Sequence, residues 1–289
     1  MTQEVLLSKG DLVVDLCELL SGSEAGMQAL AGITGMGFPD VDTEWFEGAG
    51  DGAEWIGSRA LPRELDLPLL IEGGSPAGVQ ELISRLARLF DPSTGLTRLW
   101  LVRDEEERFT DVVRVGGGKW VSGKDSDGET WARTLITVRA GDPFWTRQDA
   151  SEFEVRIKAE GRGLLPKLMS LRLTSSQAMG ERAVENPGDM RANPVWRVDG
   201  PGRNFTAISP IGEVLRWTGA LAAGETLTID TKAGTVIDHT GANRYNLLAP
   251  APRFWSIEPG ESTVSVTLDG ATSDSRITCS WQPRWWATF

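Results

Sequence analysis

Ala223-Gly224-Glu225, followed by Leu227-Thr228-Ile229-Asp230-Thr231, decides how the C-terminal half of this 289-residue chain is read. A glycine-centred turn opens directly into a short β-branched segment, and the same grammar repeats in both directions. Upstream lie Asn186-Pro187-Gly188-Asp189, then Asn193-Pro194-Val195, then Pro210-Ile211-Gly212 leading into a strand over residues 213–218. Downstream come the turn-like residues 238–243, Arg253-Phe254-Trp255, Ile257-Glu258-Pro259-Gly260 and Ser280-Trp281-Gln282-Pro283-Arg284. Strands about eight to twelve residues apart with turns between them, and no helical periodicity, predict a β-sandwich or barrel. A strand over residues 152–158 opens this unit, which is expected to span residues 148–289.

The N-terminal part, residues 1–147, reads differently. Ser75 and Pro76 form an N-cap and first-turn signal, and Val79, Leu82, Ile83, Leu86, Leu89 and Phe90 recur at helical spacing before Asp91-Pro92 stops the pattern. One helix over residues 76–90 with a single buried face follows. Residues 96–103, 108–115 and 130–140 are β-branched and aromatic-rich strands. In the last of these, Ala132, Thr134, Ile136 and Val138 line one face, and Trp131, Arg133, Leu135 and Thr137 the other. Faces that are both partly apolar predict a sheet packed on both sides or shared with a neighbour. The whole chain is therefore expected to be mainly β, with an α+β N-terminal domain holding one helix.

The length favours about two domains. Composition and charge exclude several function classes. Of the 41 acidic and 29 basic residues, 25 acidic and 14 basic fall before residue 148, so the first part carries 14 − 25 = −11 of the total −12. General nucleic-acid binding is disfavoured, because the phosphate backbone rewards Lys and Arg. Residues 1–10 lack the basic start and apolar run of a secretion signal, and no stretch approaches the ~20 apolar residues that span a bilayer. The two distant cysteines, Cys17 and Cys279, read as buried thiols of a protein folding in a reducing cytoplasm. The glycosylation sequon at Asn204 has no meaning without secretion.

Residues 118–124 have the glycine and lysine spacing of a phosphate loop. The next position is Asp125 instead of Ser or Thr, and a turn follows instead of a helix, so a hairpin loop is the reading. Residues 125–129 resemble the start of a calcium loop without its later ligands. His239 is the only histidine and sits in a turn with no nucleophile beside it, so no catalytic residue is assigned and the chain is not read as an enzyme. No cofactor is implied. Residues 21–57 hold Asp40, Asp42, Glu44, Glu47, Asp51 and Glu54 with no Lys or Arg, and read as a channel or assembly loop. Alternation at Asp40, Asp42 and Glu44 would suit a hard cation, with solvated carboxylates as the alternative and no metal assigned. Trp196, Trp217 and Trp255 read as core; Trp285 and Trp286, around Pro283, read as interface aromatics.

The ordered turns of residues 186–284, together with the Asp51-Gly52 turn, residues 59–71, the single helix and Asp142-Pro143-Phe144-Trp145, resemble the siphophage distal tail protein family. That resemblance implies a tail-tube-like split β-barrel or sandwich with one helix, closing into a hexameric ring around the tail channel, followed by a galectin-like β-sandwich. It implies a structural hub in the virion at the tail tip, assembled in the host cytoplasm. The tail tube protein, the tape measure protein and a tail-associated tip protein would be partners, and DNA would pass through without specific binding. An acidic ring wall would keep the genome from adhering. The alternatives are a carbohydrate-binding module of a phage or bacterial surface protein, which tryptophan stacking would serve, and a glycoside hydrolase, which would need a carboxylate pair in a cleft.

Overall fold

A computed structural model describes residues 4–19, 23–104, 106–120, 129–156 and 180–288. The phosphate-loop and calcium-loop look-alikes fall mostly at residues 121–128, outside the described residues. The chain divides into two compact units, Met1–Gln148 with Trp285–Phe289, and Asp149–Arg284. The C-terminal tryptophans Trp285 and Trp286 thus group with the first unit.

The first unit contains β1 (Glu4–Lys9), β2 (Leu12–Asp15), β3 (Gly26–Ala29), β4 (Val41–Glu47), β5 (Ala53–Ala60), β6 (Arg63–Glu72), α1 (Pro76–Leu89), β7 (Thr97–Arg103), β8 (Glu106–Gly117), β9 (Trp131–Ala140) and β10 (Trp145–Arg147). Its main sheet runs β2-β1-β7-β8-β9-β6-β3, antiparallel throughout, with β10 on β8. The two ends nearly meet: Ala29 N–H donates to the Leu16 carbonyl at 2.7 Å, and Cys17 bridges Gln28. This is a nearly closed barrel, which leaves little exposed edge.

Period-two alternation sets the core. Leu65, Leu67, Leu69 and Ile71 of β6 face inward beside Ala132, Ile136, Val138 and Ala140 of β9, and β9 presents the two faces read from its sequence. Helix α1 lays Val79, Leu86 and Leu89 on this layer, with Leu82 and Ile83 half-buried. Ser75 Oγ accepts from Gly78 N–H at 3.2 Å, and Pro76 takes the first helical position. Gly78 has a second reason: a Cβ there would stand 2.2 Å from the Gly73 carbonyl oxygen, so the strand-to-helix turn closes only without side chains.

The second unit is a sandwich. One sheet runs β11 (Ser151–Arg156), β20 (Arg276–Trp281), β13 (Val195–Asp199), β17 (Thr226–Asp230), β18 (Thr235–Asp238); the other runs β12 (Gly180–Asn186), β19 (Gly260–Asp269), β14 (Gly202–Ile208), β15 (Val214–Arg216), with β16 (Ala220–Leu221) on β14. Trp196, Phe205, Trp217, Trp255 and Trp281 fill the space between. Trp196 meets Trp255 edge-on at 5.6 Å between centroids, a favoured aromatic geometry.

The turn motifs have structural reasons. Asn186 is fully buried and donates its amide to the carbonyls of Met190 and Ile257, while its oxygen accepts from Gly188 N–H at 3.1 Å. A Cβ on Gly188 would meet the Arg284 carbonyl at 2.4 Å, so only glycine admits the segment around Pro283. Glu225 accepts from Ala222 N–H at 2.8 Å, closing the turn before β17.

Candidate assembly surfaces

Residues 21–57 are not the loop that their glycines and acids suggested. They contain β3, whose register against β6 adds a strand to the barrel, and most of a separate hairpin formed by β4 and β5. The sequence misled because glycine and acid content masked the alternation Val41, Thr43, Trp45, which is the strand signal. Every residue of β4 is exposed, and so are most of β5.

The register sorts the hairpin's two faces. Val41 pairs with Ala60, Thr43 with Ser58, Trp45 with Trp55 and Glu47 with Ala53, and these share one face. Asp42 pairs with Arg59, Glu44 with Gly57 and Phe46 with Glu54, and these share the other, with a bulge between Glu44 and Trp45. One face thus carries two paired indoles, each more than half exposed, flanked by Glu47; the opposite face carries Asp42, Glu44 and Glu54 together with Arg59 and the exposed Phe46. Asp51 lies in the connecting turn and Asp40 before β4, its carbonyl accepting from Leu61 N–H at 2.8 Å. Asp42 is bound to Arg59 at 3.1 Å. Among the described residues no three His, Cys, Asp or Glu side chains converge as metal ligands would.

An open groove of about 530 Å³ lies at the C-terminal end of α1. Ile83, Leu86, Phe90, Trp120 and Ile136 form its apolar lining, and Arg88 and Arg114 stand at it. Among the described residues Asp91 is the one acid that lines it; its carboxylate accepts from both the N–H and the hydroxyl of Ser93, which hold it below the usual carboxylate range. Sequence reading missed this groove, because α1 and the β8–β9 connection are distant in the chain.

Trp285 and Trp286 are half-buried. Trp285 packs on the core of the first unit with the Arg108 guanidinium 3.9 Å from its ring centroid, and Trp286 meets Phe144 edge-on at 5.0 Å. The backbone that carries them is held by two buried arginines. Arg63 donates to the carbonyls of Gly35, Gly37, Pro143 and Trp286, and Arg108 to those of Ala287 and Thr288. Burial lowers the Arg63 guanidinium to about 10. Both arginines were missed, although a signal was present: Arg63 is in phase with Leu65, Leu67 and Leu69, and Arg108 with Thr110 and Val112, all pointing inward.

In the second unit Trp196, Trp217, Trp255 and Trp281 are all buried, so none of its described tryptophans offers a plane for stacking a sugar. His239 lies in a turn built on Asp238, whose carboxylate accepts from the Thr240 hydroxyl, from the N–H groups of Thr240 and Ala242, and from Arg244 at 2.7 Å. Cys279 is fully buried, which pushes its thiol well up, and Cys17 is half-buried; no disulfide joins them. Among the described residues no helix is long and apolar enough to cross a membrane.

Residues 187–285 match the model of the siphovirus-type tail component, C-terminal domain. No curated protein sequence matches the chain. Among solved structures, it is similar to the Dit protein of phage SPP1, described as a paradigm of the hub adsorption apparatus of phages that infect Gram-positive bacteria. The TM-score is 0.66 at 12% identity, over 98% of this chain and 99% of that one. It is also similar to a chain of the phage P2 baseplate in its activated conformation with calcium, with a TM-score of 0.55 at 10% identity over 98% of each chain. The same baseplate with strontium gives 0.54 at 10% identity. The turn motifs of residues 186–284 and the sandwich they build thus fall on the segment that matches the siphovirus-type tail component C-terminal domain, and the whole chain has the fold of the SPP1 Dit protein.

Proposed function

We propose that this chain is a structural distal tail protein of a long non-contractile phage tail. Copies of its first unit close into a ring, six by analogy, that joins the tail tube to the tip and leaves a channel for DNA. The observation that carries this reading is the likeness to the SPP1 Dit protein over 98% of the chain, with the family match falling on the second unit. The partners are the tail tube protein, the tape measure protein and a tail-associated tip protein, in a virion assembled in the host cytoplasm. The protein works by shape and charge instead of by catalysis: the −11 of the first part supplies a wall that repels passing DNA.

Native mass spectrometry and negative-stain microscopy of the purified full chain test this. Annular particles of about six protomers are expected; a single protomer at the highest soluble concentration overturns the reading. Within the ring, Asp42, Glu44 and Glu54 are expected on the channel wall, and an outward placement removes the charge argument.

A further inference from the structure

The hairpin β4–β5 poses a physical problem. A two-stranded hairpin that buries neither face is marginal in water, yet this one exposes the indoles of Trp45 and Trp55 side by side on one face, at 54% and 55%. Two such rings are an expensive surface to leave wet, and exposed aromatic clusters mark contact sites. The flanking charge is acidic. Among the described residues Glu44, Glu47 and Glu54 have no basic partner.

The groove at the end of α1 is the complement. It is lined by Ile83, Leu86, Phe90, Trp120 and Ile136, is wide enough to receive an aromatic side chain, and carries Arg88 and Arg114. Neither arginine has a carboxylate partner among the described residues; Arg114 makes only a long bond to its neighbour Gly117 carbonyl. One unpaired acid, Glu47, beside the exposed indoles of one element thus matches unpaired arginines beside an apolar groove on another.

We infer that the Trp45/Trp55 face of one copy seats in the α1 groove of the next copy, with Glu47 meeting Arg88 and Arg114. The two surfaces are different, so the contact is heterologous: each copy keeps one free hairpin and one free groove after pairing, and a closing rotation yields a ring instead of a dimer. Docking this face leaves the opposite one uncovered, with Glu44 and Glu54, the Asp42–Arg59 ion pair and the exposed Phe46. The same hairpin then glues the ring on one side and presents the acidic wall on the other. This inference rests on the ring reading and identifies the surface that makes it.

The test uses two double variants of the full chain, Trp45→Ser with Trp55→Ser, and Arg88→Glu with Arg114→Glu. All four side chains lie on the surface or at the groove, so circular dichroism and the thermal midpoint are expected to match the wild type. Each variant alone is expected to run as a single protomer in native mass spectrometry, its assembly weakened by more than about tenfold in concentration. An equal mixture retains one intact hairpin and one intact groove, so it is expected to give a discrete pair and nothing larger. Variants that still form the wild-type assembly, or a mixture that shows no pair, overturn the docking while leaving a ring-forming wild type intact. A wild type that is itself a single protomer overturns the ring and the docking together.

Discussion

At the residue scale, single side chains carry defined loads. Leu86 is 3% exposed and sits where α1 meets the barrel. Leu86→Ala is expected to cost roughly 2–5 kcal/mol, by lost transfer energy and a residual cavity, measured by denaturant unfolding. Asp238 gives a pH signature. The Thr240 hydroxyl, then Arg244 and the N–H groups of Thr240 and Ala242, hold its carboxyl far below the ordinary range, against the opposing effect of burial. A folded-state value below the unfolded ~3.9 means the contribution is fully present above pH ~4 and is lost as pH falls through the folded value. Asp238→Asn keeps an acceptor but removes the charge. Its stability deficit relative to wild type is therefore expected at pH 7 and to shrink as the pH falls below 4; a deficit that stays constant to pH 2 contradicts the assignment.

At the element scale, the hairpin stands apart from the fold that carries it. Among the described residues strands β4 and β5 pair with each other and with no strand of the barrel. The main sheet keeps its register from β6 onward through the ten pairs that β6 makes with β9. Replacing residues 45–55 by a short Gly-Ser turn is therefore expected to leave the unfolding free energy of the first unit within about 0.5 kcal/mol of wild type, as for surface changes that touch no core. Solution mass is expected to fall to one protomer in the same sample. A loss of folding on that deletion would show the hairpin to be part of the barrel core instead of an assembly element.

At the scale of the whole molecule, Trp285–Phe289 return to the first unit after the sandwich is complete. They supply carbonyls to Arg63 and Arg108, and Trp285 adds apolar cover. Ending the chain at Arg284 strips acceptors from two buried guanidinium groups, and a buried donor left without a partner costs about 1–3 kcal/mol. Truncation is expected to lower the unfolding midpoint of the first unit and to leave that of the sandwich in place, read by calorimetry. Arg63→Ala is expected to reproduce the same loss from the other side, since it takes the donor from four carbonyls, that of Pro143 buried. If truncation leaves both transitions unmoved, the arginine clasp contributes nothing to stability.

Much of this protein follows from local chemistry. Ser75-Pro76 and the spacing from Val79 to Leu89 make α1 whatever surrounds it, because capping and a one-sided apolar face act within a few residues. The turns at Asn186, Gly188 and Gly224 are equally local, and their order was enough to mark the second unit as a sandwich of a phage tail family. The chain could not reveal which distant segments meet. Arg63 reads as a surface charge until the barrel brings Gly35, Pro143 and Trp286 around it; Trp285 and Trp286 read as loose aromatics until the tail folds back; and the α1 groove exists only because residues 83–92 are brought together with Arg114, Gly118, Trp120 and Ile136. Backbone propensity is decided by near neighbours, whereas burial and pairing are decided by contacts that sequence separation hides.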